Sequence, residues 1–112
     1  MVLCITHSQD FYTIDIVQRS LQQQGMASFR LNTDEFAISY RLNYTLQSNA
    51  ADAYLIVDGQ KIHASQITGV WYRKLWKLTV PPDLDPDYHD VFSKEYRTYL
   101  QLFLNQLAEV PW

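Results

Sequence analysis

Gly69-Val70-Trp71-Tyr72-Arg73-Lys74 is the stretch on which the fold turns. Gly69 punctuates, and Val70, Trp71 and Tyr72 are the residue types that suit a strand buried on both faces. Arg73 and Lys74 then set two cations at the strand end, with another aromatic, Trp76, just beyond. In an open α/β sheet, ligands sit in the loops past the carboxyl ends of parallel strands. Two readings therefore fit Arg73 and Lys74. They hold an anionic group, or they are a solvated strand end.

A doubly buried strand needs parallel neighbours, and the start of the chain supplies them. Residues 2–5 form a short apolar run, followed by the polar loop Thr6-His7-Ser8-Gln9-Asp10. Ser8 or Asp10 offers a capping oxygen to a helix that runs to about Gln24, with Ile14, Val17 and Leu21 on one face. Gly25 is placed to end it in a left-handed conformation. A second strand at 28–32 completes a βαβ unit within about 30 residues, which implies a right-handed crossover. The run at 69–72 is expected beside the first strand.

Between these parallel elements the period changes. Ile38, Tyr40, Leu42, Tyr44 and Leu46 alternate with polar residues, as in a strand with one wet face. After a polar turn at 48–52, two short runs (54–57 and 61–63) flank Asp58-Gly59, a strong hairpin signal. The Pro-rich stretch 78–86 reads as loop. Asp87 is then expected to cap a long helix reaching about Glu109. The expected fold is α/β: one domain over residues 1–112 with a mixed sheet, a parallel βαβ start, an antiparallel hairpin in the middle and a long C-terminal helix.

That helix is wide in its apolar sector. From Tyr88 to Leu107 its apolar positions cover an arc of roughly 220° at ~100° per residue, about twice a one-sided stripe. Either tyrosines sit at the edges with wet hydroxyls, or the helix packs on the sheet with one flank and on a neighbouring body with the other. The second account is favoured, making Trp76, Tyr96, Tyr99, Phe103 and Trp112 candidates for a domain or dimer interface. Glu95 falls inside the arc, so a partner is expected; Arg73 is nominated, with Lys74 or Arg97 as alternatives. Pro111-Trp112, a bulky aromatic straight after a helix, reads as a chain cut at a domain boundary.

Composition narrows the function classes. With 112 residues, 47% hydrophobic and 14% aromatic, the chain has ample material for a core. A net charge of −3 argues against a general nucleic-acid surface. No apolar run approaches the ~18 residues of a membrane span, and no basic segment precedes an apolar one at the start. The single cysteine, Cys4, lies in an expected strand, pointing to a buried thiol, a reducing compartment and a cytoplasmic location. The only glycines are Gly25, Gly59 and Gly69, so no phosphate-cradling loop can be written. His7, His63 and His89 are too dispersed for a local metal motif, and no nucleophile elbow surrounds Ser8. Neighbouring His7, Ser8 and Asp10 cannot readily converge on one atom, so capping is their favoured role. No catalytic or metal-binding residue is assigned; the residues describe a domain that supports or binds.

Three stretches together resemble a known family: the first strand running into Thr6-His7-Ser8-Gln9-Asp10, the second ending Phe29-Arg30-Leu31-Asn32-Thr33-Asp34-Glu35-Phe36, and Gly69-Val70-Trp71-Tyr72-Arg73-Lys74. They look like the N-terminal pre-ATP-grasp domain of microviridin-type (graspetide) ATP-grasp peptide ligases, over essentially all 112 residues. Lys74-Leu75 departs from the pattern, which has a second arginine there and often a proline. The resemblance implies a cytoplasmic ligase of ribosomal-peptide biosynthesis, with ATP and Mg²⁺ held between two further domains C-terminal to this one. A precursor-peptide carboxylate would be phosphorylated, then attacked by a Ser/Thr hydroxyl or Lys amine to close a macrolactone or macrolactam. This portion would pack on the ATP-grasp core, line the substrate cleft through Arg73, Lys74, Ser8, Asp10 and Asp34, and join a homodimer contact. No nucleic acid, membrane or cofactor of its own is implied. The competing reading is a stand-alone protein- or peptide-binding scaffold without catalysis.

Overall fold

A computed structural model describes residues 1–35, 41–47, 50–57, 59–73 and 80–112, with backbone alone at 41–47 and 50–52. Its elements are β1 (Val2–Thr6), α1 (Thr13–Gln23), β2 (Ser28–Asn32), β3 (Arg41–Gln47), β4 (Ala50–Val57), β5 (Gln60–His63), β6 (Gly69–Tyr72) and α2 (His89–Asn105). The strands divide into two three-stranded sheets. One is parallel in the order β2-β1-β6, the other antiparallel in the order β3-β4-β5.

The parallel sheet is explained by its residues. Leu3, Cys4, Ile5 and Thr6 are all fully buried, as a central strand covered on both faces requires. Its partner β6 begins at Gly69 opposite Val2 and ends at Tyr72 opposite Ile5. The α1 crossover ends in a Schellman motif: Gly25 takes φ +75°, its N–H bonds to Gln22 O at 3.0 Å, and the Met26 N–H reaches Leu21 O at 2.9 Å. At the start of α1 the residue in the N-cap position is Tyr12, with no side-chain cap bond of its own; the Asp10 carboxylate accepts the first-turn N–H of Ile14, as expected of it, while Ser8 is turned to Asp34 beyond β2.

In the second sheet, Tyr54–His63 and Val57–Gln60 are paired across the hairpin, with Gly59 at φ +78°. The strand before it is longer than the alternation suggested. Gln47 already pairs with Ala50, so residues 50–52 belong to β4 and not to a turn. Of the expected alternating run, Ile38 and Tyr40 lie outside the described residues, as do Asp58, Lys74 and Trp76.

Both sheets and α2 share one core. Leu3, Ile5, Leu31 and Val70 meet Leu55 and Ile62 from the antiparallel sheet and Leu100, Phe103, Leu104 and Leu107 from the C-terminal region. The approach to α2 is a 3-10 turn, Pro86–Tyr88, capped by Asp85, whose carboxylate accepts the Asp87 N–H at 2.9 Å. The capping residue is thus Asp85 and not Asp87, since Pro86 occupies the first turn position, where its missing N–H costs nothing. The helix closes at Asn105, with turns continuing to Glu109.

Two expectations for α2 need correcting. Phe103 is fully buried, so it is a core residue and not an interface residue: with Leu100, Leu104 and Leu107 it makes the stripe facing the sheets. Glu95 is exposed, so solvent supplies what a buried carboxylate would have needed from a cation. Tyr88, Val91 and Tyr99 share the exposed flank, while Tyr96 is half-buried between Phe92 (4.6 Å between centroids) and Tyr99 (5.7 Å, edge to face). Among the described residues no helix is long and apolar enough to cross a membrane.

Candidate functional site

The carboxyl ends of β1, β2 and β6 lie side by side, and the polar residues just beyond them converge there. Arg73 directly succeeds β6, its backbone N–H bonded to Ile5 O at 3.0 Å. Its Nη1 lies 3.2 Å from both carboxylate oxygens of Asp10, in the loop after β1. Asp10, and not Glu95, is therefore the carboxylate that Arg73 engages. The Asp10 side chain is 3% exposed and that of Arg73 40%, so the acid is enclosed and the base half in solvent.

Burial alone would raise the Asp10 pKa. The Thr6 hydroxyl donating to Oδ2 at 2.7 Å, the Ile14 backbone N–H, Arg73 and His7 together outweigh it and hold the carboxyl below its usual value. The Ile14 contact retains a trace of the expected capping role, since that amide belongs to the first turn of α1.

The loop itself is fastened to β2. Arg30, whose position in the ladder is opposite Cys4, sends Nη2 to the carbonyls of His7 (2.9 Å) and Asp10 (2.8 Å) and Nε to Asn32 Oδ1 (2.8 Å). Asp34, in the 3-10 turn Thr33–Glu35 after β2, accepts both the backbone N–H of Ser8 (2.9 Å) and its hydroxyl. Buried Thr33 donates to Thr6 O at 3.0 Å. Charged donors on backbone carbonyls and a carboxylate on an amide are the stronger kind of hydrogen bond, so the loop is held at several points.

Of the five residues nominated from sequence, Ser8, Asp10, Asp34 and Arg73 are brought to this edge, in two couples. Lys74 lies outside the described residues. Sequence reasoning missed the clamp made by Arg30 and the hydroxyls of Thr6 and Thr33. A cation inside an otherwise uncharged strand, Phe29-Arg30-Leu31, was the available signal for Arg30. Beside the polar cluster, Phe11 and Tyr12 stand well exposed. Chemically the edge offers the outer donors of Arg73, which suit a carboxylate or phosphate, bordered by aromatic surface. Among the described residues no group of three or more His, Cys, Asp or Glu side chains could hold a metal ion.

The family model described as the MvdD pre-ATP grasp domain matches residues 1–112. Among solved structures, the chain is similar to the macrocyclase MdnB of Microcystis aeruginosa MRC, with 34% identity and a TM-score of 0.92 over 99% of this chain and 36% of that one. It is also similar to a Chryseobacterium gregarium RiPP-associated ATP-grasp ligase, a structure in complex with ADP and a leader and core peptide, with 28% identity and a TM-score of 0.80 over 92% of this chain and 32% of that one. The fold recurs in macrocyclase MdnC of Microcystis aeruginosa MRC, bound with precursor peptide MdnA, at 24% identity and a TM-score of 0.81 over 97% of this chain and 35% of that one. The chain thus spans about a third of the length of these solved relatives. No curated protein matches.

Proposed function

Since this chain belongs to the MvdD pre-ATP-grasp domain family over residues 1–112, we propose that it is the N-terminal part of an ATP-dependent peptide ligase that closes side-chain ester or amide rings in a ribosomally made precursor. The observation that carries this reading is the likeness to MdnB, a macrocyclase, across nearly the whole of this chain. In the complete enzyme ATP phosphorylates a precursor carboxylate. A hydroxyl or amine of the same peptide then attacks the acyl phosphate, phosphate departs, and an ester or amide remains.

The contribution of this portion is binding and positioning. In this reading ATP and Mg²⁺ belong to the C-terminal ATP-grasp domains of the complete enzyme; ADP is present in the structure of the Chryseobacterium gregarium ligase. Arg73 faces the substrate cleft with the donors that Asp10 leaves over, and the Ser8–Asp34 couple fixes the loop beside it. Tyr99 and Trp112, 46% and 55% exposed, lie against the ATP-grasp core or a second subunit. The full-length protein is cytoplasmic in this reading and of the microviridin type.

The decisive assay incubates the full-length protein with its precursor peptide, ATP and Mg²⁺, and tracks peptide mass. Loss of one water per ring with matching ADP release is expected, and an unchanged peptide mass would overturn the reading. A second reading, a self-sufficient peptide-binding module, draws on the exposed Phe11, Tyr12 and Ile16. It requires precursor binding by residues 1–112 alone, without ATP.

A further inference from the structure

Among the described residues the side-chain partner of Arg73 is Asp10. An arginine side chain carries about 2 kcal/mol of rotamer entropy, so the aim of Arg73 depends on how firmly Asp10 is held. The loop that carries Asp10 is bonded throughout. The Asp10 N–H donates to His7 O at 3.2 Å and closes a turn over 7–10. Inside it the Gln9 N–H donates to His7 Nδ1 at 3.2 Å and the Ser8 N–H to Asp34 Oδ1 at 2.9 Å. The carbonyls at the two ends of the turn share one donor group. Nη2 of Arg30 reaches His7 O at 2.9 Å and Asp10 O at 2.8 Å, while Nε reaches Asn32 Oδ1 at 2.8 Å. All the hydrogens of those two nitrogens are thereby engaged. Strand register explains the reach. Arg30, Cys4 and Trp71 stand opposite one another across β2, β1 and β6, and Asn32 and Thr6 form the next pair on that face. Asp10 is thus held at its carbonyl from β2, by Arg30, and at its carboxylate from β1, by the Thr6 hydroxyl. It passes that position on to Arg73 just beyond β6.

We infer that Arg30 is a positioning residue for Arg73: by clamping the carbonyls of His7 and Asp10 it sets where the Asp10 carboxylate stands, and so where the remaining Arg73 donors point for a substrate carboxylate or phosphate. The chemistry of the clamp requires arginine. A planar fork with fixed N–H directions can hold two carbonyls and a side-chain amide oxygen at once, whereas a lysine ammonium is a point charge on a flexible stem. The clamp also acts at a sensitive place. Arg73 is half in solvent, so nothing but the short chain of bonds through Asp10 keeps its donors in one direction among the described residues. A displacement of about 1 Å in a group that orients substrate can cost about 100-fold in rate. The inference deepens the proposed function and rests on it in one respect, that Arg73 receives an anionic group of the precursor.

The test compares the full-length parent with Arg30→Lys, which keeps the charge but not the fork, and with Arg30→Gln, which removes both. Urea midpoints measured alongside separate loss of aim from loss of fold. The first readout is nitrogen relaxation of the Arg73 Nε–H group, expected to be rigid in the parent and to lose order in both variants. Equal order in all three proteins overturns the inference. The second readout is ring formation against precursor concentration. Arg30→Lys is expected to lower kcat/KM for the peptide by roughly 10-fold to 100-fold while KM for ATP stays unchanged. In an Arg73→Met background the same change should cost nothing further; losses that multiply would show Arg30 acting apart from Arg73 and overturn the inference. The two claims fail separately. A parent that closes no rings, with Arg73 loosened by Arg30→Lys, removes the ligase reading alone. Rings formed at the parent's kcat/KM by Arg30→Lys, with Arg73 still rigid, remove the positioning role alone.

Discussion

Arg73 and Asp10, 63 residues apart in sequence, meet at 3.2 Å where two parallel strands end, one side chain half in water and the other enclosed. The asymmetry sets what the pair contributes. Solvent around Arg73 screens the attraction, whereas Asp10 must keep donors around it. Asp10→Asn is therefore expected to cost about 1–2 kcal/mol and Arg73→Met about 1 kcal/mol, with a coupling energy below about 1 kcal/mol in a double-mutant cycle. Urea unfolding of the four proteins measures it.

The same carboxylate makes stability depend on acid. Hydrogen bonds and charges hold the Asp10 pKa below its unfolded value of 3.8. The stabilisation is thus fully present above that value and drains away as pH falls through the lower, folded one. Urea midpoints recorded downward from pH 5 should fall more steeply for the parent than for Asp10→Asn. Parallel curves would contradict the assignment.

Cys4 should be chemically silent while the protein is folded. It is fully buried in the central strand, and burial pushes its thiol up to about 11. A disulfide reagent at neutral pH is expected to react at the rate of unfolding, and promptly once urea is added.

The two flanks of α2 should respond differently to truncation. Phe103→Ala opens a cavity in the shared core and is expected to cost about 3–5 kcal/mol. Tyr99→Ala on the exposed flank should stay within about 0.5 kcal/mol in thermal or urea unfolding of this chain. In the full-length protein Tyr99→Ala should lower ring formation if that flank meets the ATP-grasp core.

Glycine substitutions separate conformation from space. Gly25 sits at φ +75° with nothing near a Cβ, so Gly25→Ala is expected to cost about 1 kcal/mol through strain alone. At Gly69 a Cβ would stand an ordinary 3.8 Å from Pro111 O, so Gly69→Ala should be close to neutral in the same unfolding assay.

Much of the fold could be read along the chain because it is written in neighbours a few residues apart. The run from Val70 to Tyr72, the Phe29-Arg30-Leu31 strand, the turn at Gly25 and the hairpin at Gly59 each declare themselves through local period or turn chemistry, and the ladder places them accordingly. Likewise the resemblance that led to the family rests on contiguous motifs. The candidate site was legible only as separate residues. Ser8, Asp10, Asp34 and Arg73 could be nominated from loop positions, but not matched with one another.

Which partner each took was settled by three-dimensional proximity. The helical wheel showed a wide apolar arc on α2 without showing which side two sheets would cover, so Phe103 was placed outside and Glu95 inside, each the reverse of what the packing made of them. Arg73 is joined to Asp10 because β6 lies beside β1, a neighbourhood decided by strand order and not by any spacing in the chain. Periodicity acts over one turn or one pleat, and so the sequence specified the elements. Desolvation and charge pairing act between surfaces that lie far apart along the chain, and so only the assembled structure could specify the contacts.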